Sequence, residues 1–122
     1  MGFSTEEVEK LLQIVEKRQD HGFENKDLDE IASTYAENAV LIHKDNSVVR
    51  GNKAIADSFA AFFGVKFEVE KNAAYDINKG EYLMRKGRFR LPGKEWFNFM
   101  QLHEKQLNGE YLIIHDEFEF KQ

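Results

Sequence analysis

AFFGVKFEVE, residues 61–70, holds a change of rhythm. Before Gly64 the apolar residues recur every three or four positions, with Ile55, Phe59, Phe62 and Phe63 on one helical face. After it they alternate: Val65, Phe67 and Val69 are separated by Lys66, Glu68 and Glu70, the period of a half-buried strand. The switch divides the chain into a helical first half and a sheet-forming second half.

Working back toward the N-terminus, STEEVEKLLQIVEKRQ opens with Ser4 and Glu7 in capping-box spacing, and Val8, Leu11, Leu12 and Val15 form its apolar stripe. HGFENKD reads as a loop. Asp27, with Glu30 three residues later, caps a second helix whose stripe is Leu28, Ile31, Ala32 and Tyr35. AVLIH is a short strand, KDNS turns it back into VVRG, and Gly51 or Asn52 starts the third helix. Working forward, strands are expected over residues 81–91, 95–107 and 110–120. Pro92-Gly93 and Asn108-Gly109 supply the turns between them, the second as a primed hairpin turn. Alternation lapses in KNAAYDINKGE, where a bulge fits. Helices followed by hairpin-linked strands give an α+β fold: three N-terminal helices packed on a strongly curved antiparallel sheet, a cone with a pocket. The 122 residues hold one such domain, with no linker or repeat.

Composition narrows the function. The chain is 42% hydrophobic with eleven Phe, enough for a spacious interior filled by large rings. A formal charge of -5 argues against nucleic-acid binding, and the absence of Cys removes disulfides, thiol nucleophiles and cysteine metal sites. No apolar run approaches a membrane span. His21, His43, His103 and His115 lack metal-binding spacing, so neither metal nor cofactor is expected. The default is a soluble cytoplasmic domain.

DLDEIASTYAENAVLIHKDNSVVRGNKAI, residues 27–55, resembles the nuclear transport factor 2-like superfamily, which includes SnoaL-like cyclases, ketosteroid isomerases and scytalone dehydratase. The shared elements are the acidic cap Asp27, the helix ending in Tyr35-Ala36, Asn38-Ala39-Val40 before a short strand, and Gly51 with Ile55 opening the third helix. The order of elements fits essentially the whole chain. The resemblance implies a conical fold enclosing a pocket and leaves function open, because the scaffold hosts isomerases, dehydratases, hydrolases, cyclases, transport adaptors and assembly domains.

Three residues are candidates for chemistry: His43, Asp116 and Gln101. His43 alternates with Ala39 and Leu41 on the inward face of its strand. It stands eight residues after Tyr35, where the resemblance to the isomerases implies a catalytic carboxylate, and an imidazole there is a candidate general base. Asp116 continues the row Leu112, Ile114, Phe118 and Phe120, so a carboxyl falls on an inward face. It either orients His43 in a dyad, stays protonated as a donor, or is satisfied within the fold by Arg85, Arg88 or a Tyr hydroxyl. Gln101 falls near the second acid that the resemblance implies, and can donate but not act as an acid. The isomerases' oxyanion tyrosine has no counterpart, since residues 5–19 contain no Tyr. RKGRFR reads as a solvated strand face, or else as an anion site.

Phe59, Phe63, Phe97, Phe99, His103, Ile114 and Phe118 are the expected lining of the pocket. In EWFNFMQLHEK the opposite face also looks buried, so Trp96, Met100 and Leu102 are the expected interface of a homodimer. Three functions remain open: a cofactor-independent enzyme moving a proton on a small apolar carbonyl compound, a module binding a small hydrophobic ligand, and an assembly domain.

Overall fold

A computed structural model describes residues 2–121. Helix α1, Thr5–Glu24, starts at the expected capping box: Glu7 N–H donates to Ser4 Oγ at 3.1 Å and Ser4 N–H to Glu7 Oε1 at 3.0 Å. It runs one turn past the expected stop, through Gly22. That glycine is buried because α2 crosses here; a Cβ would stand 2.8 Å from Ile31 Cγ1. Helix α2 is the single turn Leu28–Ala32, capped by Asp27, whose Oδ1 accepts from Glu30 N–H at 3.1 Å. Tyr35, expected on this helix, instead begins β1, Tyr35–His43. β2, Ser47–Arg50, returns antiparallel to it, and α3, Asn52–Phe59, passes into a 3-10 turn at Ala60–Phe62.

The second half forms β3, Glu68–Ile77; β4, Tyr82–Arg90; β5, Phe97–Lys105; and β6, Tyr111–Phe118. The six-stranded sheet has the order β2-β1-β6-β5-β4-β3. The expected α+β cone is present, with one difference in pairing. β1 and β6 run parallel, so the sheet is mixed. A parallel neighbour is possible because the whole meander separates the two strands and supplies the crossover. Among the described residues no helix is long and apolar enough to cross a membrane.

Two turns depart from expectation. At Asn108-Gly109 only Gly109 has positive φ, 90°, and Gly109 N–H donates to Gln106 C=O at 2.9 Å, so this is a longer loop and not a primed two-residue turn. Positive φ at consecutive non-glycine residues occurs between β3 and β4, at Asn78 (51°) and Lys79 (53°).

Register fixes which side chains face the helices. Across the sheet Arg85 pairs with Gln101, Gln101 with Asp116 and Asp116 with Leu41, and all four are buried. One level deeper lie Leu83, His103 and Ile113; Leu83 and Ile113 share the buried core with Val8 and Leu12 of α1. One level outward lie Gly87, Phe99, Phe118 and His43, followed by Phe89 and Phe97. Gly87 allows a close approach: a Cβ there would stand 2.3 Å from Glu70 O and 2.8 Å from the Phe99 ring. Its neighbour β3 is bulged between Lys71 and Ala73, within the stretch where alternation lapses.

β6 carries a second bulge. Leu102 pairs with His115 but His103 pairs with Ile113, so Ile114 is an extra residue. The row Leu112, Ile114, Asp116 is therefore not one face. Tyr111 and Ile113 are buried before the bulge and Asp116 after it, while Leu112 and Ile114 are half-buried. This removes Ile114 from the expected pocket lining.

Candidate functional site

The bulge delivers Asp116 to the interior, where only 5% of it stays exposed. Tyr35 O–H donates to Asp116 Oδ2 at 2.5 Å, and Gln101 Nε2 donates to the same oxygen at 3.1 Å. Gln19, from the last turns of α1, donates through Nε2 to the Tyr35 hydroxyl oxygen at 3.1 Å. Both donors to the carboxyl converge on Oδ2, and among the described residues none reaches Oδ1. Nor is Oδ1 among the side-chain atoms that are fully buried without a partner. Oδ2 is clamped, and Oδ1 carries no donor among the described residues.

Burial pushes the Asp116 carboxyl up to about 6, against the two hydrogen bonds, which favour its charged form. Desolvation and the adjacent carboxyl raise the Tyr35 hydroxyl well above its ordinary value, so it remains a donor throughout the working pH range.

His43 takes no part in this cluster, and the expected His43–Asp116 dyad does not form. In the parallel β1–β6 register Asp116 lies beside Leu41, and His43 lies two residues further out, beside Phe118. The imidazole stacks on the Phe118 ring at 4.6 Å, and its Nε2 is 2.8 Å from Phe120 O. A carbonyl only accepts, so Nε2 carries the proton. Of the alternatives open to Asp116, the tyrosine hydroxyl is the one the structure shows.

No family model matches the sequence, and no curated protein does. Solved structures do. A ketosteroid isomerase-like protein from Erwinia carotovora atroseptica superposes with a TM-score of 0.72 at 12% identity, covering 95% of this chain and 97% of its own. An NTF2-like protein of unknown function from Pseudomonas putida gives 0.70 at 15% identity, covering 98% and 90%. A putative calcium/calmodulin-dependent protein kinase type II association domain from Thiobacillus denitrificans gives 0.67 at 14% identity, covering 90% and 94%. The chain has the nuclear transport factor 2-like fold. At these identities the likeness carries the fold alone.

Within this NTF2-like cone, the basic stretch on β4 divides between two sides. Arg85 is buried against α1: its Nε donates to Glu16 Oε2 at 2.9 Å, its Nη2 also binds Glu9, and Lys71 Nζ adds a contact to Glu16 at 3.3 Å. The guanidinium holds the Glu9 carboxyl below its usual range. Arg88 and Arg90 lie at the surface, paired with Glu70 at 2.6 Å and Glu68 at 2.7 Å, and flank the Trp96 ring at 4.3 and 4.4 Å. The chain's own carboxylates thus neutralise these three arginines.

The expected pocket residues separate into groups. Phe59 and Phe63 pack edge-on to Phe23, and Phe59 also meets Tyr35 at 6.3 Å. Phe97, Phe99 and Phe118 gather around Phe89 at the outer end of the concave face. His103 is sealed in the core with no partner at either ring nitrogen; burial and the Arg85 charge lower its pKa to about 3, so it is neutral. Two open clefts, of about 500 and 460 Å³, lie between α1 and β3–β4 and beside Lys86 and Glu117; neither is lined by Asp116. Met100 and Leu102 are half-buried on the outer face of the sheet, with Met84 opposite Leu102.

The sequence reading missed Tyr35 and Gln19. Tyr35 lay within a helical apolar stripe that gave no sign of its strand position. Gln19 carried no signal, since its role depends on α1 crossing the start of β1.

Proposed function

We propose that this protein is a small-molecule pocket protein that moves a proton on a small, apolar, carbonyl-bearing compound without a cofactor, with Asp116 as the acid–base group. The observation that carries this reading is the asymmetric carboxyl: Oδ2 held by Tyr35 and Gln101, and Oδ1 without a donor. A carboxyl titrating near 6 is suited to accept and return a proton close to neutral pH. Ionised Asp116 takes a proton from carbon next to the carbonyl through Oδ1; the C–H electron pair passes to the carbonyl oxygen as an enolate. The proton on the carboxyl then exchanges with solvent, or, where a carbon–carbon double bond stands next to the enolate, is delivered to its far carbon as the oxygen's electron pair moves back, which completes an isomerisation. Tyr35 and Gln101 hold the carboxyl in place, and Gln19 directs the Tyr35 proton toward it. The acidic, cysteine-free composition fits a cytoplasmic setting.

The test is solvent exchange. A panel of small apolar ketones is incubated with the protein in D2O, and loss of the proton signals next to the carbonyl is followed by NMR. The wild type accelerates exchange of at least one ketone, and Asp116→Asn slows it by about 10²–10⁴-fold, the usual weight of a general base. No acceleration across the panel, or equal acceleration by the variant, overturns the reading.

A second reading concerns assembly. Met84, Met100 and Leu102 place apolar surface at the middle of the outer sheet face, which no helix among the described residues covers. We propose a two-fold homodimer through this face, with Trp96 at its edge. Sedimentation of the wild type as a dimer and of Leu102→Lys as a monomer supports it; a wild-type monomer at micromolar concentration refutes it.

A further inference from the structure

We infer that the Asp116 site is entered through an aromatic lid formed by the C-terminal tail and the α3–β3 connection, with His43 as its latch. This rests on the proposed pocket and adds how it opens.

The tail is tied down after its strand has ended. β6 stops at Phe118, yet Glu119 N–H donates to Asn98 C=O at 3.0 Å, and Phe120 C=O accepts from the His43 ring at 2.8 Å. Lys44 N–H adds a bond to Phe118 C=O at 2.9 Å. These bonds place the Phe120 ring against Phe97 at 5.4 Å, Phe89 at 5.9 Å, and Phe62 and Phe67 at 6.0 Å each. Phe62 and Phe67 come from the other leaf, residues 60–67, which lie between α3 and β3 and have no strand pairing.

The lid stands in front of Asp116. Phe118 and Phe99 lie one level outward from Asp116 and Gln101 on the same concave face, and the Phe120 cluster lies beyond them. The rings are all half-buried, and most of their pairs meet edge to face, which lets one ring leave without unseating the sheet. The connection has a pivot. Gly64 sits at φ 83° with open space around its Cβ position, between the two rings that close the leaf. His43, unused in the chemistry, fixes the tail by a side-chain bond to its backbone and by stacking on Phe118.

The experiment uses the full chain with Phe120→Ala and, separately, His43→Ala, each checked for a wild-type circular dichroism spectrum. Both changes lie at the rim, outside the buried core. The first measurement is the titration of Asp116 by carboxyl carbon NMR. With the lid loosened, the carboxyl is better hydrated, and its midpoint falls from about 6 toward the ordinary 3.8. The second is the association rate of 2-naphthol by stopped-flow fluorescence. It rises about tenfold or more if the open form is an ordinary minor state of the wild type. An unchanged midpoint and an unchanged rate in both variants overturn the lid. Failure of the ketone exchange leaves these two measurements intact, so loss of the lid and loss of the proposed chemistry are distinguishable.

Discussion

Replacing Asp116 by asparagine exchanges a buried, titrating carboxyl for a neutral group of the same shape. The carboxyl's ordinary value is 3.8, and in the folded chain burial raises it to about 6. At about 1.36 kcal/mol per pKa unit, the difference is worth about 3 kcal/mol. Between these values the folded protein holds a proton that the unfolded chain has released. The Asp116 contribution to stability is therefore fully present below 3.8 and is lost as pH rises through about 6. Asparagine cannot ionise and has no such loss. The stability of Asp116→Asn minus that of the wild type should grow by about 3 kcal/mol between pH 3.5 and 7.5. Carboxylates such as Glu9 and Glu70, held low by Arg85 and Arg88, push the other way as pH falls, but they are common to both proteins and cancel in the difference. The assay is urea unfolding followed by fluorescence of the single Trp96. At about 1–3 kcal/mol per molar urea, the relative midpoints should move by about 1–3 M across the range. A difference constant to about 0.5 kcal/mol, or one that shrinks as pH rises, would refute the account of Asp116 as a desolvated acid.

Three further predictions concern its surroundings. Tyr35→Phe removes a donor to the carboxyl, so Asp116 should titrate above its present value of about 6, with a stability loss of about 1–3 kcal/mol; NMR titration showing a lower midpoint contradicts this. His103→Leu removes two buried nitrogens without partners, and denaturation should show no loss or a gain of up to about 1–3 kcal/mol. A clear loss of stability would mean that the imidazole is held by partners. Arg85→Met removes the guanidinium that pairs with both Glu9 and Glu16, leaving Lys71 on Glu16, and should cost about 3–5 kcal/mol by the same denaturation; a wild-type midpoint would show the network to be dispensable.

The sequence by itself determined the class of fold. Local signals were enough: the period change at Gly64, the capping box at Ser4, the Asp27 cap and the turn residues each act within a few positions. It also marked Asp116 and Gln101, because a carboxyl and an amide among alternating apolar residues are visible in one strand. What surrounds Asp116 was beyond its reach. The side-chain period of a strand is two, so one inserted residue reverses every assignment before it. The bulge at Ile114 did this, moving Tyr111 and Ile113 inward and taking Leu112 and Ile114 off the row. That extra residue has no signature of its own; it is set by pairing with β5. The parallel β1–β6 register likewise decided that Asp116 lies beside Leu41, with His43 two residues away. Tyr35 reaches the carboxyl from 81 positions away, and Gln19 of α1 reaches the Tyr35 hydroxyl, contacts made only once the chain has folded. Side-chain periodicity is local and legible in the chain; register between distant strands is a property of the packed sheet, and here it chose the partners of Asp116.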